Sequence, residues 1–155
     1  MQRRVFLTVP LFISLPAWAH HGWSSFDQTR PLYLEGQATR VAWRNPHVEL
    51  QLDLPAGGLK LPADLPTRSL PAQTAPVDGP ALLKAAQLPS RKDRRWEIEL
   101  APLSRMQAWA VPEIKVGDNL ALLGFTFTGE KGEAVMRVEY LFAGGKTYGL
   151  RSAPA

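Results

Sequence analysis

The sequence predicts an all-β domain with one short helix, folded as a five-stranded Greek-key barrel behind a cleaved leader. Three observations lead there. Short runs in which apolar and polar residues alternate recur along the chain, which is the mark of half-buried strands. One compact helical run falls between the third and fourth of those strands. The first nineteen residues read as an export signal, so they are set apart from the fold.

In that leader Arg3 and Arg4 supply positive charge, Val5 to Pro16 is a short apolar run, and Ala17-Trp18-Ala19 offers the small-x-small pattern of a signal-peptidase site. The apolar run falls short of the ~20 residues that span a bilayer, and no later segment approaches that length. The expectation is a periplasmic or secreted protein with no stable membrane anchor after processing. Cleavage after Ala19 makes His20 the new N-terminus. Cleavage after Ala17 would instead leave Trp18-Ala19-His20, but Leu15 is a poorer residue than Ala17 at the same position of the signal.

Leu32 to Trp43 reads as the first strand, and Gly36 within it predicts a bulge or sharp bend. His47 to Leu54 is the cleanest strand. Val48, Leu50, Leu52 and Leu54 fall on one face, and His47, Glu49, Gln51 and Asp53 on the other. Residues 55–93 carry seven prolines and no sustained period, interrupted by a weak helical stretch over Ala81 to Leu88. Such a composition rarely builds a core, so the segment is expected to be a partly ordered insertion. Arg95 to Leu100 is the third strand, Pro102 to Ala110 the short helix with proline in its first turn, and Asn119 to Thr128 the fourth strand. The loop 129–132 joins this strand to a fifth, Glu133 to Phe142. A short strand or tail follows Gly144-Gly145. Three strands, a helix and two strands are the order of the OB-fold, in which a bent first strand serves both sheets. The organisation is thus a leader (1–19), an arm (20–31), a barrel domain (32–150) containing the insertion, and a tail (151–155).

The chain has no cysteine, which removes disulfides, thiolate metal sites and cysteine nucleophiles. The leader holds two arginines and no acid, so its removal lowers the formal charge from +4 to +2. With that small charge and an exported destination, nucleic acid is not an expected partner. No Ser-His-Asp arrangement or phosphate loop stands out, and Glu35, Glu49, Glu97 and Glu99 read as the solvated sides of strands rather than an acid–base pair. The protein is therefore not expected to be an enzyme.

The histidines carry the most pointed chemistry. The chain has three, in HHGW and WRNPH. A freed His20 offers its α-amine and its ring nitrogen to one metal ion. A second imidazole would complete a T-shaped set of three nitrogens, a histidine brace. Nitrogen-rich tetragonal sites favour Cu(II), so copper is the expected cofactor. The second imidazole is His21 or His47, the latter if the arm folds back over the barrel. Glu49, two residues on and on the same strand face, is placed to orient the His47 ring. Met106 is a possible soft axial ligand, although a methionine on this helix more often fills core space. Trp23 and Trp43 are weaker candidates for stacking against a ligand. The competing expectation is a non-metal periplasmic binding or interaction module, using the OB barrel face or a protein partner docked through the proline-rich insertion.

HHGWSSFD, YLEGQATRVAWRNPHVELQL, RWEIELAPLSRM and VGDNLALLGF together resemble an exported bacterial family of unknown function, DUF6152. The HH start and WRNPH are the most specific parts, and the resemblance leaves out residues 55–93. It implies an exported OB-like domain and no particular activity.

Overall fold

The computed structural model describes residues 22–155. The leader, His20 and His21 lie outside the described residues. Six strands form one sheet: β1 (Leu32–Ala42), β2 (Glu49–Asp53), β3 (Arg95–Glu99), β4 (Asn119–Phe125), β5 (Val135–Ala143) and β6 (Lys146–Gly149). Their order is β3-β2-β1-β4-β5-β6, and a further pairing of β3 with β5 closes the first five into a barrel. All neighbours are antiparallel except that closing pair, where Glu97, Ile98 and Glu99 run parallel to Val135, Met136 and Arg137. This is the predicted five-stranded barrel. The expected helix between β3 and β4 is present as α2 (Leu103–Ala108).

β1 works as the sequence suggests. Leu32 to Gln37 pairs with β4, and Gln37 to Ala42 with β2, so the strand changes partner at Gln37. Gly36 stands at that change because a side chain has no room there. A Cβ would lie 2.2 Å from the Asp53 carbonyl oxygen. The register slip itself falls three residues on, between Ala38 and Arg40. A second slip falls between Leu123 and Gly124, where Glu139 is the extra residue in β5 and a Cβ on Gly124 would meet the Arg137 carbonyl oxygen at 2.3 Å.

The alternation in HVELQLDL does what its period dictates. Val48, Leu50, Leu52 and Leu54 enter the main core with Trp96, Ile98, Leu100, Met136 and Val138. Val48 belongs to the ladder although it precedes β2, since its N–H donates to the Ala101 carbonyl and its own carbonyl accepts from Leu100. Met106 of α2 is fully buried in the same cluster.

The insertion departs from what its composition led us to expect. It holds a turn of 3-10 helix (Leu65–Thr67) and α1 (Gly79–Ala85), whose N-terminus is capped by the Asp78 carboxylate accepting from the Ala81 N–H. Leu65 and Leu83 form a second core against the outward-facing Tyr33, Leu123 and Tyr140 of the barrel wall. Proline removes backbone donors and presets φ, which rules out strands but leaves short helical turns able to carry a leucine each. Leu70, Val77, Leu82, Ala86 and Leu88 pack half-buried around these two leucines and complete the roof over the barrel wall. The Glu130 carboxylate closes the far end of the insertion. It accepts from the N–H groups of Ser90 and Arg91 and from Arg30.

Candidate functional site

His47 sits just ahead of β2, after a cis Asn45–Pro46 bond. It is half-buried and lines a cavity of about 730 Å³ with Arg40, Trp43, Asn45 and Glu49. Trp43 packs from there against the main core, so it is a wall of the cavity and also part of the fold. Side chains alternate along an extended chain, and Val48 is completely buried. His47 and Glu49 therefore share the outer face, as the sequence pattern required.

Strand register extends that face. Glu49 of β2 lies opposite Glu99 of β3, and Glu99 lies opposite Arg137 of β5. The three form one row across the outside of the barrel. The row is not the solvated surface that alternation predicted, because Glu99 and Arg137 are only 8% and 5% exposed. Arg137 Nη1 is 3.5 Å from Glu99 Oε2. Burial pulls the Arg137 guanidinium below its ordinary range, and the Glu99 charge opposes that shift. Guanidinium stays protonated throughout, so the buried cation is held by Glu99 and by what lies over it.

What lies over it is the arm. Trp23 begins a turn of 3-10 helix (Trp23–Ser25), and its ring is 5.1 Å from the Arg137 guanidinium carbon. On Arg151 the separation is 3.6 Å, and Trp23 meets Phe125 edge-on. Behind Trp23 the arm is fastened again. Phe26 stacks on Phe127, and the Asp27 N–H donates to the Thr126 carbonyl. Gln28 donates to the Trp23 carbonyl and accepts from Arg151. Trp23 was expected as a stacking residue for a ligand; the structure stacks it on two arginines of the chain itself.

The candidate ligands fall into two groups. His47 and Glu49 are together on the outer face. Met106 is in the core and is not among the residues lining the His47 cavity. His20 and His21 lie outside the described residues. Among the described residues, no three His, Asp or Glu side chains come together as a group able to hold a metal ion. Sequence reasoning passed over Arg137, Arg151 and the burial of Glu99. Nothing local in VMRVEY or RWEIEL marks these charges, because only the β3–β5 register brings them under Trp23.

Comparison with known proteins adds one family. The model of the family of unknown function DUF6152 matches residues 10–60. The DUF6152 match thus covers the second half of the segment read as a leader, both histidine motifs, β1 and β2, and it agrees with the resemblance read from the residues. No curated protein and no solved structure matches. Among the described residues no helix is long and apolar enough to cross a membrane.

Proposed function

We propose that this chain is an exported copper-binding barrel, acting as a carrier or accessory factor. In this reading the processed N-terminal His20 supplies its α-amine and ring nitrogen, and His47 supplies the second imidazole. The single observation behind this is the seat of Trp23 on Arg137, which fixes the arm in the row that runs through Glu99 to Glu49. Neighbouring strands are ~4.8 Å apart, so Arg137 and Glu49 stand two strand spacings apart, about 10 Å. Two residues, His21 and Gly22, lie between Trp23 and His20, so three chain steps of at most ~3.6 Å each separate them. Three such steps at full extension match that spacing, and the length of the His47 side chain has to supply the rest of the reach.

Glu49 and Glu97 place carboxylates on this face, while Glu99 is paired with Arg137, and Arg40 and Arg44 also line the His47 cavity. An α-amine with a pKa of ~8 is partly unprotonated at neutral pH, and a metal displaces the remaining protons.

The test is Cu(II) titration with electron paramagnetic resonance on protein whose N-terminus is verified as His20. The expected result is one tight site with a nitrogen-rich signal. His47→Ala, or a single residue placed before His20, should each weaken it by at least about tenfold, which is ~1.4 kcal/mol. Weak binding indifferent to both changes would overturn the proposal.

A further inference from the structure

We infer that the cleft between the insertion and the barrel wall is a second binding site, which takes a short neutral oligosaccharide. The cleft shares no residue with the His47 cavity, so it stands apart from the copper reading. Its volume is about 1040 Å³, at the upper end of the ~300–1,000 Å³ usual for ligand pockets.

Strand register builds the floor. Tyr33, Leu123 and Tyr140 make the row that the insertion roofs. Two residues further along β1, the next row on the same face is Glu35, Ala121, Phe142 and Thr147, one residue from each of β1, β4, β5 and β6. This row lines the cleft, and its four residues are half-buried rather than roofed. Asp64, Arg68 and Ser69 of the insertion make one wall, and the Arg68 guanidinium carbon lies 4.9 Å from the centre of the Phe142 ring. Ala121 makes the hollow. It stands between Glu35 and Phe142, where a larger side chain would fill the middle of the floor.

The charges around the cleft cancel in place. Arg95 bonds both oxygens of Asp53, at 2.6 and 2.7 Å, and Arg68 bonds Asp64 at 2.9 Å. Glu35 accepts from the Tyr33 hydroxyl at 2.7 Å, and Lys146 at the β5–β6 turn balances its charge. A lining so balanced is complementary to a neutral ligand rather than to an ion of either sign. Neutral groups supply the remaining polar lining. They are the amides of Gln37 and Asn119 and the hydroxyls of Ser69 and Thr147. Gln37 is oriented by donating to the Gly117 carbonyl. Amides and hydroxyls both donate and accept, which is what sugar hydroxyls require of their partners. Phe142 supplies the apolar part, since the negative face of an aromatic ring attracts the C–H hydrogens on one side of a pyranose. The row crosses three strand spacings, about 14 Å, so it accommodates more than one sugar ring.

The experiment is NMR titration of the isotope-labelled, processed chain with maltotriose, cellotriose and chitotriose, with trilysine and citrate as charged controls. At least one trisaccharide should move the amide signals of Glu35, Ala121, Phe142 and Thr147, with a Kd of about 1 mM or tighter. Neither control should move them. Ala121→Leu, which fills the floor, should abolish the binding. Asn119→Ala should weaken it about two- to tenfold, as loss of one hydrogen bond does. Melting temperatures are read in parallel, and the exposed Asn119 decides if Ala121→Leu does not fold. Wild-type affinity in folded Ala121→Leu, or in Asn119→Ala where the leucine variant is unfolded, would overturn the site. So would signals on that row that no trisaccharide moves. Movement of the row by trilysine or citrate, and by no trisaccharide, would overturn the neutral ligand class.

Discussion

Glu130 shows how a single residue outside the candidate site contributes to the acid stability of the fold. It is 8% exposed and sits at φ +54°, a left-handed conformation that a glutamate adopts only when its surroundings impose it. Burial pushes its carboxyl upward, but the N–H groups of Ser90 and Arg91 and the Arg30 guanidinium outweigh that and hold it below the ordinary range. An unfolded glutamate titrates near ~4.3. Glu130 therefore contributes stability above that pH, and the contribution is lost as pH falls through its lower folded value. Glu130→Gln should cost about 1–3 kcal/mol at pH 7. In urea melts at pH 5 and pH 3, the variant should lose less stability on acidification than the wild type does. Glu139 has the opposite sign. Burial raises its carboxyl against the pull of Arg151 and Gln73, so its contribution diminishes as pH rises. The sequence read both glutamates only as strand or loop residues, since their partners are 39 or more and 12 to 66 positions away.

At the scale of elements, the barrel was legible where one period and one punctuation mark agreed. HVELQLDL alternates cleanly between two prolines, and β2 follows it. Gly36 marked the bend in β1, and the structure gives the reason as close approach to Asp53. Gly36→Ala should cost about 2 kcal/mol or more, because the clash is with backbone that cannot rotate away. A thermal melt of the variant checks this, and a melting temperature within a degree of wild type would remove Gly36 from the account of strand bending. The bulge at Ala38 and Arg40 was not legible, since nothing in QATRV departs from an ordinary strand. The proline-rich insertion misled for a related reason. Its buried leucines, Leu65 and Leu83, follow no regular spacing, because each sits on its own short turn. Periodicity detects an element that repeats, and a roof of single contacts does not repeat.

At the scale of the whole molecule, the insertion roofs one wall of the barrel while the arm crosses another. Leu83→Ala should destabilise the protein by about 2–4 kcal/mol, as a buried leucine truncation does. It should leave copper affinity unchanged, since Leu83 touches neither the row of Glu49, Glu99 and Arg137 nor the His47 cavity. Removing the insertion outright would bare Tyr33, Leu123 and Tyr140 on one face. Light scattering should then report self-association, which is what an exposed apolar patch on a small domain produces. The two walls thus separate experimentally, one read by stability and the other by metal. The candidate site was half legible in the same sense. Both histidine motifs stood out by chemistry, but the row of Glu49, Glu99 and Arg137 beside His47 is made by pairings between strands far apart in the chain.

The contact between Trp23 and Arg151 has a consequence for how the chain could be rewired. It brings the start and the end of the described chain to the same place. A flexible linker from the tail to the arm would close the backbone into a ring, and new ends could be opened at the exposed Gly57–Gly58 turn, where no neighbouring atom crowds either glycine. Such a circular permutant keeps every strand pairing and every histidine ring, and loses one thing: the amine at the head of the chain. In the proposed reading it would be a barrel of unchanged shape without its copper site.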